Sequence, residues 1–236
     1  RLTTFETKRK MKRKTRMTLL WSIIGIVSAA VVGLFLFLRM PAFGRLPQGE
    51  RMERIRRSPN YKDGEFKNMQ PTELMTGSKN RWQSLREFIF TDRSSLEPST
   101  PVKAVKTDLK RLPADENLMV WFGHSSYLLQ IDGRRILVDP VFHAASPVPF
   151  FCKPFKGTDI YKPEDMPDTI DCLVISHDHW DHLDYRTVAA LKDRVRKVVC
   201  PLGVGEHFEH WGYETEKLVE LDWTEDARLY DSFTVH

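Results

Sequence analysis

Nine residues, Ser176-His177-Asp178-His179-Trp180-Asp181-His182-Leu183-Asp184, hold three histidines and three carboxylates. They follow directly on the apolar run Cys172-Leu173-Val174-Ile175, which predicts a buried strand. A turn at the end of a strand aims several side chains into one space. Imidazole nitrogen and carboxylate oxygen are donors that zinc accepts. The H-x-H-x-D-H spacing therefore predicts a metal centre. His177 and His179 share one ion and Asp181 and His182 a second, roughly 3.5–4 Å apart as in two-metal hydrolytic sites. A solvated polar loop is the alternative. Isolated H-x-H pairs are common, whereas the full pattern behind a β-branched strand is rare.

Further segments occur in a fixed order around this motif. They are Trp121-Phe122-Gly123-His124-Ser125-Ser126, Ile136-Leu137-Val138-Asp139-Pro140-Val141-Phe142, Ala145-Ser146-Pro147, Pro201-Leu202-Gly203 and Glu220-Leu221-Asp222-Trp223. Together with the histidine motif they resemble the metallo-β-lactamase fold hydrolases. The narrower resemblance is to the branch that contains N-acylphosphatidylethanolamine-hydrolysing phospholipase D and its bacterial relatives. It covers about residues 110–236, and Phe43–Pro47 with Arg57–Tyr61 is similar to the N-terminal arm of bacterial members. It implies an α/β fold, an αββα sandwich, and a zinc phosphodiesterase acting on a membrane phospholipid. It also implies further ligands downstream: a histidine, a bridging aspartate and a final histidine. On that pattern the domain, residues 111–236, is expected to hold only the first half of the sandwich, and an incomplete enzyme. His236 falls short of the family register and is not counted as a ligand.

Met17 to Leu38 is free of charge over 22 residues. At 1.5 Å per residue it reaches about 33 Å, enough to cross a bilayer core. It exceeds an ordinary signal-peptide core, and Arg39-Met40-Pro41 offers no small-x-small cleavage site, so a single-pass membrane anchor is expected. A cleaved signal or a buried core helix would be the other readings. Gly25, Ala29 and Gly33 at four-residue spacing allow helix pairing, hence a possible homodimer. Residues 1–16 form a basic tail with eight Lys or Arg and one Glu. This tail is expected to stay cytoplasmic, near anionic lipid, with the catalytic domain on the far side.

The whole chain has 236 residues, 41% hydrophobic, and a net charge of +4. Outside the tail, 28 basic face 31 acidic residues, so the domain lacks the basic face that nucleic-acid binding requires. Three cysteines make no complete disulfide set. Cys172 is expected as buried filler.

Residues 39–110 read as an arm and linker, with a short helical stripe at Trp82–Phe90. Strands are predicted at 118–122, 127–131, 135–138, 173–175, 197–200 and 233–235, and helices at 185–192 and 206–211. Asp132-Gly133 predicts a tight hairpin turn. His207 and His210 share a helix face, expected to be a polar surface beside Glu206 and Glu209 rather than a metal site.

Two residues are further candidates. The resemblance puts His124 at the metal face, in contact with phosphate or the attacking water. Asp139, at a strand end, can fix the tautomer of a ligating imidazole. Ordinary loop roles are the alternative for both. Asp181 is expected both to ligate and to orient the nucleophile. Phe150, Phe151 and Phe155 are expected to pack in the core, with contact to lipid as the alternative. Two other functions stay open: a sugar-phosphate lactonase on the same scaffold, and a non-catalytic membrane binding module.

Overall fold

In this computed structural model the described residues are 2–70, 72, 80–92, 97–148, 150–230 and 233–236, without the side chains of residues 2–10 and 12. The described residues fall into two compact units, Arg1–Phe43 and Gly44–His236.

The first unit is one helix, α1 (Leu2–Leu38), closed by a short turn at Pro41–Phe43. Its stretch Arg13–Leu38 is long and apolar enough to cross a membrane. Trp21, Ile26, Val31 and Leu36 are all exposed. From Met17 to Leu38 no side of the helix carries charge, so no polar face is set apart from an apolar one.

The second unit begins with α2 (Gly49–Arg57), a two-stranded ribbon β1 (Tyr61–Lys62) and β2 (Glu65–Phe66), and α3 (Arg81–Phe90). Then follow β3 (Leu118–Gly123), β4 (Ser126–Ile131), β5 (Arg134–Val138) and β6 (Ile170–Val174). The remainder runs α4 (Tyr185–Leu191), β7 (Val195–Pro201), α5 (Gly205–His210), β8 (Leu218–Leu221), β9 (Ala227–Tyr230) and β10 (Phe233–Val235).

Strands β3 to β8 form one six-stranded sheet in sequence order. The first three are antiparallel neighbours, and β5 to β8 run parallel. Asp132 and Gly133 both take positive φ, 49° and 73°, as the tight turn between β4 and β5 requires. The parallel half needs crossovers, which α4 and α5 supply. This is an α/β domain with a mixed sheet behind an apolar N-terminal helix.

Side chains alternate across the sheet with period two. Leu137, Leu173 and Val198 face α4 and α5, where they meet Val188, Leu191 and Phe208, all fully buried. Each such aliphatic side chain stabilises by about 1.5–3 kcal/mol relative to exposure. Ile136, Val138, Cys172 and Val199 point to the other face, against Leu229, Phe233 and Val235 of the β9–β10 ribbon. Cys172 is fully buried, as expected, and burial pushes its thiol up to about 12.

Two expectations are corrected. Phe150, Phe151 and Phe155 are not core residues; they are exposed on an irregular loop whose prolines prevent a regular element. The surface assigned to α5 is not polar solvent-facing: Glu206 and His207 are buried. The cause lies in the arm, where Arg51 of α2 reaches Glu206 at 2.6 Å, Glu209 at 2.9 Å and Glu220 at 2.7 Å. Residues 49–57, read as part of an aperiodic arm, are a helix because their only buried residue, Ile55, suffices once the arginines find carboxylates.

Candidate metal centre

The carboxyl ends of β5, β6, β7 and β8 lie along one edge of the sheet, because these strands are parallel. Open α/β sheets gather functional groups at that edge. Strand β3 is antiparallel to β4, which is antiparallel to β5, so β3 also ends there. The loops after β3, β5 and β6 therefore meet, although 53 positions separate His124 from His177.

The loop after β6 is the histidine motif. His182 N–H and Leu183 N–H both donate to the His179 carbonyl, closing a turn that brings the three imidazoles close together. The His177 ring lies 3.9 Å from that of His182 and 4.6 Å from that of His179, centroid to centroid. Two groups of donor atoms result. His177 Nε2 is 3.1 Å from His179 Nδ1. Asp181 Oδ2 is 3.8 Å from His182 Nε2 and 3.1 Å from His124 Nε2. The potential ligand atoms of His124, Asp181 and His182 all lie within 4.8 Å of one another.

His124 reaches this group through its backbone. Gly123 and His124 both have positive φ, 116° and 45°. The Trp121 indole N–H donates to the His124 carbonyl and holds the turn. His124 and Asp181 are the open side of the cluster, with side chains 61% and 45% exposed.

Behind the cluster sits Asp139, buried at the exit of β5 with φ 41°. It accepts from Ser176 N–H at 2.7 Å, from the Ser176 hydroxyl at 2.6 Å and from His182 Nδ1 at 2.8 Å. Ser126 fixes the same exit, its hydroxyl donating to the Asp139 carbonyl at 2.6 Å. With its proton on Nδ1, His182 leaves the Nε2 lone pair facing Asp181.

Charge follows the geometry. Burial and the neighbouring His182 and His179 push the His177 imidazole below its ordinary value. Burial works to raise the Asp181 carboxyl, but its own backbone N–H, His182 and His124 outweigh it and hold it low. Asp178 is held low chiefly by His207.

Sequence reasoning gave no part in the site to three neighbours of the histidine loop. His207 comes within 3.6 Å of Asp178. His143 Nδ1 is 3.0 Å from Asp184, which is buried, caps α4 through Arg186 N–H and accepts from the Thr187 hydroxyl at 2.5 Å. The Asp184 cap carried a readable signal, an aspartate directly before an apolar-periodic helix. The His207 and His143 contacts, made across long sequence separations, carried none.

A cavity of about 880 Å³ opens beside His177 and Asp178. Leu46, Met52, Ile55 and Phe66 of the arm line it, with Val174 and Leu221 of the sheet.

Imidazoles and a carboxylate at these separations are a donor set that fits a divalent metal such as zinc. Comparison with known proteins points the same way. An uncharacterized protein of Mycobacterium tuberculosis is 36% identical over 188 residues, 75% of this chain and 48% of that protein. N-acyl-phosphatidylethanolamine-hydrolyzing phospholipase D 1 of Caenorhabditis elegans is 27% identical over 159 residues, 62% of this chain and 42% of that protein. A UPF0173 metal-dependent hydrolase of Hyperthermus butylicus is 36% identical over 64 residues, 27% of this chain and 22% of that protein. The chain spans about half the length, or less, of these curated relatives. The segment that carries Asp139, the whole histidine loop and α5, residues 134–236, matches the family model of the beta-lactamase superfamily domain.

Proposed function

We propose that this chain belongs to a membrane-anchored, zinc-dependent phosphodiesterase of phospholipase D type, acting on N-acylphosphatidylethanolamine or a related phospholipid. The observation that carries the reading is the convergence of His124, His177, His179, Asp181 and His182 at the sheet edge, with Asp139 behind them. Similarity to the nematode phospholipase and to metal-dependent hydrolases supports it.

His177 and His179 would hold one ion, and Asp181 and His182 a second, with His124 beside it on the exposed side. Two zinc ions so held would supply Lewis-acid polarisation of a phosphoryl oxygen and a water pKa of about 7. The chain's own residues do the rest. Asp139 keeps the His182 proton on Nδ1 and the ring in place. Asp181, kept ionised by its surroundings, could orient the attacking water, since its side chain is 45% exposed. His124, on the exposed side, could donate through Nε2 to an oxygen of a phosphate bound there.

Three features favour a lipid. The cavity beside His177 has apolar walls sized for acyl chain. Phe150, Phe151 and Phe155 present exposed rings. Helix α1 provides an anchor by length and composition. With the Lys8–Arg16 cluster held in the cytoplasm, the domain would lie on the extracytoplasmic side.

The test is His179→Ala in the full-length protein, assayed for bound zinc and for hydrolysis of N-acylphosphatidylethanolamine and of a sugar-phosphate lactone. Zinc and phospholipid hydrolysis are expected to fall together, with no lactone turnover in the wild type. Retained zinc with full activity overturns the site, and lactone turnover without phospholipid hydrolysis overturns the substrate.

A further inference from the structure

The arm touches the histidine loop through one residue of α5. Gly44 has φ 62°, and a Cβ there would stand 2.0 Å from His207 Nδ1. Only glycine permits this approach, both by conformation and by space. The next amide, Arg45 N–H, donates to His207 Nδ1 at 3.1 Å. A ring nitrogen that accepts carries no proton, so the neutral ring keeps its hydrogen on Nε2. That nitrogen faces Asp178 Oδ2 at 3.6 Å. Trp211 stacks on the same ring at 5.6 Å, with an interplanar angle of 21°, which leaves the imidazole little freedom to turn.

Asp178 stands between His177 and His179. Its position sets the backbone between the two imidazoles whose nitrogens approach to 3.1 Å. The other end of the connection is equally fixed. Arg45 Nε reaches Glu206 at 2.5 Å, and Arg51 joins the arm to Glu206, Glu209 and Glu220.

We propose that residues Gly44–Arg45 are a positioning strap for the histidine loop, acting through His207, a positioning residue that holds Asp178. The arm selects the Nε2–H tautomer of His207, and that N–H steadies the loop that presents His177 and His179. The effect on metal affinity rests on the metal reading above; the tautomer does not.

The experiment uses the full-length protein in detergent, with isotope-labelled histidine and imidazole NMR just above neutral pH. His207 is expected to show a bare Nδ1 and a protonated Nε2 with or without zinc, and to lose this pattern in Gly44→Ala. A proton on Nδ1, or an unchanged pattern in Gly44→Ala, overturns the strap. Zinc affinity by chelator competition then separates positioning from packing. His207→Gln places an amide N–H near the lost Nε2, whereas His207→Asn keeps an acceptor for Arg45 and reaches no further. His207→Asn is expected to weaken zinc by about tenfold and His207→Gln by no more than about threefold, in the range seen for groups that orient metal ligands. Equal affinity in wild type and both variants means that His207 only packs, and overturns the proposal. If the wild type itself binds no zinc, the metal reading fails, and the tautomer still decides the strap.

Discussion

Two stretches upstream of the sheet meet opposite fates. Residues 44–62 hold six Arg or Lys among small and polar residues, yet they are fastened to the domain. Arg51 alone meets three carboxylates, and Ser58 and Asn60 both donate to Asp222, at 2.5 Å and 3.1 Å. Residues 81–90 are richer in apolar side chains, yet Trp82, Phe88, Ile89 and Phe90 are all exposed. Helix α3 owes its order to its ends. Asn80 accepts from Gln83 N–H and the Gln83 side chain accepts from Asn80 N–H, both at 3.0 Å, a complete capping box. In this molecule charge fastens the arm beside one buried apolar side chain, Ile55, whereas the apolar side chains of α3 stay exposed.

The sharpest way to break that contrast is Arg51→Met. Glu206 and Glu220 have side chains only 6% and 10% exposed, and the substitution removes their shared cation, leaving Arg45 on Glu206. Removing one partner of a buried ionic cluster costs about 3–5 kcal/mol. Chemical denaturation of the second unit is expected to show that loss, with greater protease sensitivity at residues 44–66. A loss below about 1 kcal/mol, the range of exposed pairs, would mean that the arm docks by Pro47 and Ile55 on Gly203 instead.

The contrast also explains what was legible in the sequence. The strands β3 to β7 were readable because alternation and the Asp-Gly turn are local signals, and so was α3, whose stripe is real although its side chains are exposed. The clustering of His177, His179, Asp181 and His182 was readable because one short loop carries them all. Strands β8 and β9 were missed: Leu218–Leu221 and Ala227–Tyr230 are short and half-buried, and pairing partners rather than propensity make them strands. His207 was misread because its surroundings come from Gly44, Arg45 and Asp178, some 160 and 30 positions away. A helical wheel shows which residues share a face; it does not show that a distant arginine has neutralised and buried that face.

Acid should dissolve the docked stretch selectively. The hydrogen bond from Arg51 holds Glu209 below the ordinary carboxyl range. Burial tends to raise Asp222, but donation from Ser58, Trp223 N–H and Asn60, with the charge of Arg54, keeps it low as well. A carboxyl lowered in the folded state contributes stability that is complete above its unfolded value, near 4. That contribution is lost as pH falls through the lower folded value. Stability measured down a pH series is therefore expected to drop below about pH 5 in the wild type and to follow a shallower acid limb in Arg51→Met. Parallel limbs would place the acid-sensitive carboxylates elsewhere.

The smallest expected effect belongs to α3. Trp82 is 79% exposed at the first turn of a helix whose start is already closed by Asn80 and Gln83. Its ring removes little area from water, so Trp82→Gln forfeits little, and glutamine is the better helix former. The change in unfolding free energy is expected to stay within about 0.5 kcal/mol, the range of surface substitutions that touch nothing. Asn80→Ala removes the cap instead and is expected to cost the helix about 1 kcal/mol. Local unfolding of residues 81–90, followed by amide hydrogen exchange, reads the two variants on one scale. If Trp82→Gln proves the more damaging, α3 is held by a surface that covers its aromatic side, and the difference between the two stretches is one of partner rather than of physics.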